Sequence, residues 1–242
     1  MGLIYGKNPV LEAINSGTTI NKIYAQTKNK EIDSVIKEAL KRKIVVVNTD
    51  KQKLDKMLDG RNSQGIIASV TEFKYSSIED IIKYAKEKNE EPFVLILDKI
   101  EDPHNLGAII RSAECMGVHG VIIQKRNACQ VTDTVEKVAA GACSYVKVAR
   151  VTNITESIKK LKEYGLWIYG LDMEGTENIY NTKLDGAIGM VVGNEGEGIS
   201  RLVKENCDIL MKIPMTGKIN SLNASVSAAI TIYEVVRQKN IK

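Results

Sequence analysis

Four stretches of almost unbroken aliphatic residues constrain this chain more than any other feature: FVLILD (93–98), GVIIQ (120–124), AIGMVVG (187–193) and DILMKIP (208–214). A strand exposes alternate residues on opposite faces, so a strand with one wet face alternates apolar and polar residues. Runs that stay apolar belong in a sheet covered on both sides, the arrangement of parallel sheets. VKVAR (146–150) and LWIYGLD (166–172) add two further strands. Helical patterns separate them: about 106–116, TVEKVAAGA, ITESIKKLKEYG, ISRLVKEN, and a final helix from Ser221 to about Gln238. Such alternation predicts an α/β fold with a C-terminal parallel sheet.

The first seventy residues form a smaller α/β series. Asn8-Pro9 suits a helix start that runs to Gly17. INKIYAQ follows as a strand, then a helix within EIDSVIKEALKRK whose apolar face is Ile32, Val35, Ile36 and Leu40. IVVVNT is expected as a short buried strand, Asp50 as the cap of KQKLDKML, and GIIASV as a closing strand after the turn DGRNSQG. From Thr71 to Pro92 the pattern weakens into polar sequence with charges of both signs, with room for a short helix from Ile78 to Lys86. The expected organisation is a domain over 1–72, a linker over 73–90 and a second domain over 91–242, two being the usual number for this length.

The chain is 43% hydrophobic and 26% charged, the balance of an ordinary globular protein. No apolar run approaches the roughly 20 residues of a membrane helix, and the start MGLIYGKNPVLEAI lacks the pattern of a leader, so a cytoplasmic protein without a membrane partner is expected. Cys115, Cys129, Cys143 and Cys207 form no C-x-x-C pair and have only two histidines for company. Free buried thiols are expected, and no metal site. The net charge of +4 is localised: residues 1–72 carry 12 Lys+Arg against 8 Asp+Glu, whereas 73–90 balance at 4 and 4 and 91–242 at 18 and 18. An anionic partner for the first domain and a plain solvated surface fit this excess equally.

The stretch VVGNEGEGISRLV (191–203) carries Gly193, Gly196 and Gly198 at the end of an apolar run. Its spacing is neither the G-x-G-x-x-G of dinucleotide folds nor a P-loop, which counts against a nicotinamide-dependent oxidoreductase. Glycines still let backbone groups approach a ligand closely, and the following helix points its N-terminus at the same place. Two other strand ends are similarly polar: LDKIEDPHNLGAIIRSAECMG (97–117), with Asn105 at a helix start and Arg111 six residues on, and KIPMTGKINSLNASVSAAITIYE (212–234), with Ser221 and Asn223 opening the last helix. Open α/β sheets bind ligands beyond the carboxyl ends of their strands, so the three loops are candidates to meet in one pocket. Taken singly, Asn105 and Ser221 serve equally well as helix caps, and Glu195 as a solvated carboxylate.

These three segments resemble, nearly position for position, the motifs of the SpoU family of RNA 2'-O-ribose methyltransferases, and YGKNPVLEAI resembles the start of that family's small substrate-binding domain. The resemblance implies a small N-terminal α/β substrate-binding domain and a C-terminal domain with a deep trefoil knot, a topology that periodicity never reveals. It further implies S-adenosylmethionine as cofactor, held around Gly193, Asn194, Gly196, Ile213, Met215 and Leu222. Arg111 would be the principal catalytic residue, with Asn105, Glu195, Ser221 and Asn223. His104, beside Asn105, is a lesser candidate for a direct role. The subgroup it resembles acts as a homodimer on a guanosine in the P loop of 23S rRNA. Val226, Ala229, Ile230 and Tyr233 on the last helix would be core or subunit interface. A tRNA substrate, or a silent RNA-binding assembly factor on the same fold, are the alternatives.

Overall fold

The computed structural model of the chain describes residues 2–16, 18, 20–70, 73–218 and 221–240, without the side chain of Asn240. It divides into two units, residues 1–74 and 75–242. The expected helix end at Gly17 and the last residue of the expected 1–72 domain lie outside the described residues.

The first unit runs β1 (Gly2–Tyr5), α1 (Lys7–Asn15), β2 (Ile20–Ala25), α2 (Asp33–Lys41), β3 (Val46–Asn48), α3 (Lys51–Met57) and β4 (Ile66–Val70). Its sheet has the order β1-β4-β2-β3, with β4 antiparallel to both neighbours and β3 parallel to β2. Central β4 is buried along its whole length, as its apolar sequence requires. Val10, Ile14, Ile23, Val35 and Ile66 fill the core. Burying each such side chain stabilises by about 1.5–3 kcal/mol.

Several expectations shift here. Strand β1 is additional. Helix α1 begins at Lys7 behind Gly6, so Asn8 and Pro9 lie inside its first turn and Asn8 is not the cap. Pro9 is tolerated because first-turn amides have no helical partner to lose. IVVVNT is only half-buried: β3 is an edge strand, and Val45 is 56% exposed. On α2 the buried row is Val35 and Ala39, while Leu40, five residues past Val35, is 57% exposed. Asp50 does cap α3, accepting from the Lys53 N–H at 2.9 Å.

The second unit runs α4 (Ile78–Glu87), β5 (Phe93–Asp98), α5 (Pro103–Cys115), β6 (Gly120–Gln124), α6 (Asp133–Val138), β7 (Lys147–Val151), α7 (Ile154–Glu163), β8 (Trp167–Leu171), β9 (Glu177–Asn178), β10 (Ile188–Gly193), α8 (Arg201–Lys204), β11 (Ile209–Lys212) and α9 (Ala224–Asn240). Seven parallel strands take the order β7-β6-β5-β10-β8-β11-β9. The long apolar runs are the central strands, and only the two-residue β9 has no counterpart in the sequence reading. The stretch expected to link the domains holds α4, started by a Ser77–Asp80 capping box. Its Ile78, Ile81 and Ile82 sit in the core of this unit with Val94, Ile122, Ile168 and Val191.

From β5 the chain winds outward through β6 and β7, then returns to build the other half of the sheet, with β10 against β5 at the point of reversal. Because all strands are parallel, their carboxyl ends share one edge. The loops after β5, β8, β10 and β11 therefore open together around that point, where such sheets bind ligands.

The four cysteines are free thiols, but only Cys143 is buried; Cys129 and Cys207 are half-buried and Cys115 is exposed. Burial pushes the Cys129 and Cys143 thiols up to about 11 and Cys207 up to about 12, so these three do not supply a thiolate near neutral pH. Among the described residues no helix is long and apolar enough to cross a membrane, and no group of His, Cys, Asp and Glu could hold a metal ion.

Candidate functional site

The glycine stretch forms a tight turn between β10 and α8. Asn194 and Gly198 bridge across it, the Gly198 N–H donating to the Asn194 carbonyl at 3.0 Å. The Asn194 side chain also accepts from the amides of Gly196 at 2.9 Å and Glu197 at 2.7 Å, so it shapes the turn from within. Two glycines are obligatory. A Cβ on Gly193 would lie 2.1 Å from the Gly198 carbonyl carbon, and Gly198 has φ +65°. Helix α8 is a single turn, and the amide of its cap Ser200 donates to Asp98 Oδ2 at 2.7 Å, so the expected open helix N-terminus is spoken for.

Glu195 leaves this turn and gathers the other two polar segments. Its Oε1 accepts from Asn105 Nδ2 at 2.7 Å, from Asn223 Nδ2 at 3.1 Å and from the Ala224 N–H at 3.1 Å. Asn223 Nδ2 also donates to Asn105 Oδ1 at 2.9 Å, closing a three-residue knot of hydrogen bonds across 118 residues of sequence. Asn105 is not a cap: Asp102 caps α5 by accepting from the His104 N–H, and Pro103 follows as the first helical residue. Asn105 is thereby buried one turn in, free to bond sideways. The last helix begins at Ala224, and Asn223, not Ser221, caps it, its Oδ1 accepting from the Ser225 N–H at 3.0 Å. One side chain thus caps with its oxygen and ties the site with its nitrogen.

Beside this node lies a cavity of about 290 Å³. Gly193, Asn194, Gly196, Ile213, Met215 and Leu222, all six residues expected around a cofactor, line it, as do Glu195 and Ser221. Leu171 and Val192 extend its apolar wall. Its charge is lopsided. Asp172, Glu174, Glu195 and Glu197 face it against one ammonium, that of Lys204, among the described residues. Lys204 bonds to Asp172 at 2.7 Å, and that carboxylate holds the ammonium above its ordinary range, so it stays charged. Lys99 pairs with Glu197 at 2.8 Å, holding that exposed carboxyl below the usual range.

Arg111 stands apart. It lies on the exposed side of α5, lines no part of the cavity and bonds to no other described residue. Six residues are 600° of helix, so it faces about 120° away from Asn105. His104 is exposed and likewise outside the lining. The sequence reading missed Asp98 and Asp172, the aspartates that end the apolar runs FVLILD and LWIYGLD. Both are buried at the carboxyl edge of the sheet, Asp98 bracing the turn and Asp172 anchoring Lys204. Asp98 Oδ1 is buried without a hydrogen-bond partner among the described residues. A charged residue closing a strand buried on both faces was the available signal.

Residues 92–233 match the SpoU rRNA Methylase family, and residues 3–76 match RNA 2'-O ribose methyltransferase substrate binding domains. YacO of Bacillus subtilis, assigned to the TrmH family of tRNA/rRNA methyltransferases, is 43% identical over 98% of this chain and 96% of its own length. The SpoU methyltransferase AviRb of Streptomyces viridochromogenes, crystallised with AdoMet, shares the fold with a TM-score of 0.64 and 22% identity, over 99% of this chain and 91% of its own. The TrmH/SpoU tRNA modifying enzyme of A. aeolicus aligns with a TM-score of 0.59 and 25% identity over only 66% of this chain and 85% of its own. With both of its units matched in sequence and its polar strand ends meeting at one cavity, the chain belongs to the SpoU/TrmH family of RNA methyltransferases.

Proposed function

We propose that this protein methylates the ribose 2'-hydroxyl of a guanosine in 23S rRNA, in the cytoplasm, using S-adenosylmethionine. The observation that carries the reading is the Asn105–Glu195–Asn223 node beside the cavity, which joins all three polar segments at the reversal of the sheet. The cavity suits an adenosyl sulfonium: Leu171, Val192, Ile213, Met215 and Leu222 offer apolar walls for the base. Four carboxylates against one ammonium favour a cation. Gly193 and Gly198 hold a turn whose backbone approaches closely, and a group without phosphates needs no lysine in the loop. Bound there, the cofactor supplies an electrophilic methyl group.

The protein's own task is alignment and proton removal. Asn105 and Asn223 fix Glu195 through Oε1, and Oε2, which has no described partner, is left to accept a hydrogen bond from an incoming hydroxyl. Ser221, in the cavity lining, positions the sugar. Arg111 completes the site as the guanidinium of a second copy, clamping the phosphate beside the target ribose rather than taking its proton, since guanidinium stays protonated below about pH 12. The exposed Val226, Ile230 and Tyr233 on α9, which packs against α5, are the homodimer surface of this reading. The return of Asn223 to Glu195 in the 193–198 turn marks its knotted crossing.

An rRNA target is favoured over tRNA because the N-terminal unit has its own match to substrate-binding domains, whereas the tRNA-modifying relative in shape covers 66% of the chain. The test is incubation with methyl-labelled cofactor and either 23S rRNA fragments or total tRNA, followed by mapping of alkali-resistant ribose. Label confined to tRNA overturns the rRNA assignment, and cofactor binding without label in either RNA favours a silent assembly factor. Arg111→Ala should abolish transfer while cofactor affinity stays unchanged; retained turnover removes Arg111 from the site.

A further inference from the structure

At one end of the N-terminal sheet, the loop leaving β2 and the residues leaving β3 enclose an open concavity of about 680 Å³, lined by residues 26–29, 48–51 and 53. Lys28, Lys51 and Lys53 belong to its lining; all three are exposed, and no ion pair joins any of them to another described residue. Asp50 is the only carboxylate in the lining, and its Oδ1 is occupied in capping α3. Three like charges around one hollow repel each other until an anion arrives.

The hollow also carries an oriented donor. Asn48 Oδ1 accepts from both the N–H and the hydroxyl of Thr27, at 3.3 and 2.8 Å. That fixes the amide and leaves Nδ2, without a described partner, as a donor on the wall. Beneath it the chain is braced by the Gln26 N–H on the Gly65 carbonyl and the Thr49 N–H on the Ala25 carbonyl, each at 2.9 Å. The donor and the charges are therefore in place before anything binds, which lowers the ordering cost of binding.

We propose that this concavity seats an unpaired nucleotide of the RNA substrate, with Lys28, Lys51 and Lys53 on the flanking phosphates and Asn48 Nδ2 on a carbonyl acceptor of the base. A recess suits a protruding, unstacked base better than the continuous backbone of a duplex, and unpaired bases expose the edges that a side-chain amide reads. The proposal rests on the RNA-methyltransferase reading and adds where, outside the cofactor cavity, the RNA is gripped.

The experiment uses the full-length protein and a 23S rRNA fragment containing a loop, with a duplex of equal length as control. If each ammonium neutralises one phosphate, the triple variant Lys28→Ala, Lys51→Ala, Lys53→Ala should lose about 100-fold in affinity at 0.1 M salt and about 2 from the slope of log K against log salt. Asn48→Ala should weaken the looped fragment several-fold with the slope unchanged. Cofactor affinity and melting temperature should stay at wild-type values in both. Wild-type RNA affinity and slope in the triple variant, with cofactor binding intact, overturns this surface while leaving the methyltransferase reading standing. A wild-type protein that binds cofactor but no RNA overturns both. Loss seen only on ribosomal particles, and not on naked RNA, assigns the face to a protein and also overturns the proposal.

Discussion

The two units carry concave surfaces of opposite charge. In the N-terminal hollow three ammonium groups face one carboxylate; in the C-terminal cavity four carboxylates face one ammonium. The hollow is built on exposed loops at a sheet end and keeps its cations unpaired, whereas the cavity ties up most of its charge, Glu195 on three donors, Glu197 on Lys99 and Asp172 on Lys204. A polyanion is gathered by free charge acting through solvent, and a small cationic group is held by charge fixed in place. The whole-chain figure of +4 conceals this division, because the C-terminal part sums to zero while its cavity is acidic.

The contrast breaks most visibly at the glycine turn. Gly193→Ala places a methyl 2.1 Å from the Gly198 carbonyl, and a clash with backbone has no cheap escape. Cofactor affinity should fall by roughly 100-fold or more, the scale of a ~3 kcal/mol overpacking penalty. RNA affinity measured by filter binding on the same protein should hold. Equal loss of both ligands would mean that the two surfaces do not work independently.

Glu195 separates architecture from chemistry. Removing it as Glu195→Ala leaves Asn105 Nδ2, Asn223 Nδ2 and the Ala224 N–H without their acceptor, at about 1–3 kcal/mol for the buried part. Melting temperature and turnover should both drop. Glu195→Gln keeps an oxygen for those donors but places an NH2 where Oε2 stood, so melting should recover and turnover should not. Recovery of both would deny Oε2 any part in handling the proton.

Salt sharpens the comparison without any substitution. Raising it from 50 to 200 mM should weaken RNA binding about 15- to 20-fold if three phosphates are held. Cofactor affinity should barely move, because charges paired within a cavity are screened far less than free ones. Parallel salt responses would argue against the division.

The smallest effect is one of pH, and it lies outside both surfaces. His119 is buried, its Nδ1 accepting from the Phe93 N–H at 3.0 Å and its Nε2 against Glu90 at 3.0 Å. Desolvation holds it below its ordinary value, against the pull of Glu90 and aided by the nearby cations Lys88 and Lys239. The unfolded chain therefore binds the proton first. Stability should be level above about pH 6.5 and decline as pH falls through the lowered native value. His119→Gln should flatten that decline in a melting series, and an unchanged profile would remove His119 as its source.

Much of this architecture could be read from the residues, and the departures have local causes. The central strands announced themselves because burial on two faces demands unbroken apolar sequence. IVVVNT carries the same signature yet forms an exposed edge, since composition does not say how many neighbours a strand will have. At α5 both Asp102 and Asn105 are good caps; Pro103, suited to the first helical position, decides for Asp102 and frees Asn105 for the site. The six residues expected around the cofactor came from the family resemblance, and they do line one cavity. Asp172 and Lys204 were missed because their partnership joins the end of β8 to helix α8 and leaves no spacing to read.

Asn223 carries a consequence for how the molecule matures. The same amide starts the terminal helix and latches two segments made 28 and 118 residues earlier, so neither event is complete without the other. A growing chain that has not yet exposed residues 223–240 has no latch. Under the proposed role of this node, competence to modify RNA waits for the last helix to dock.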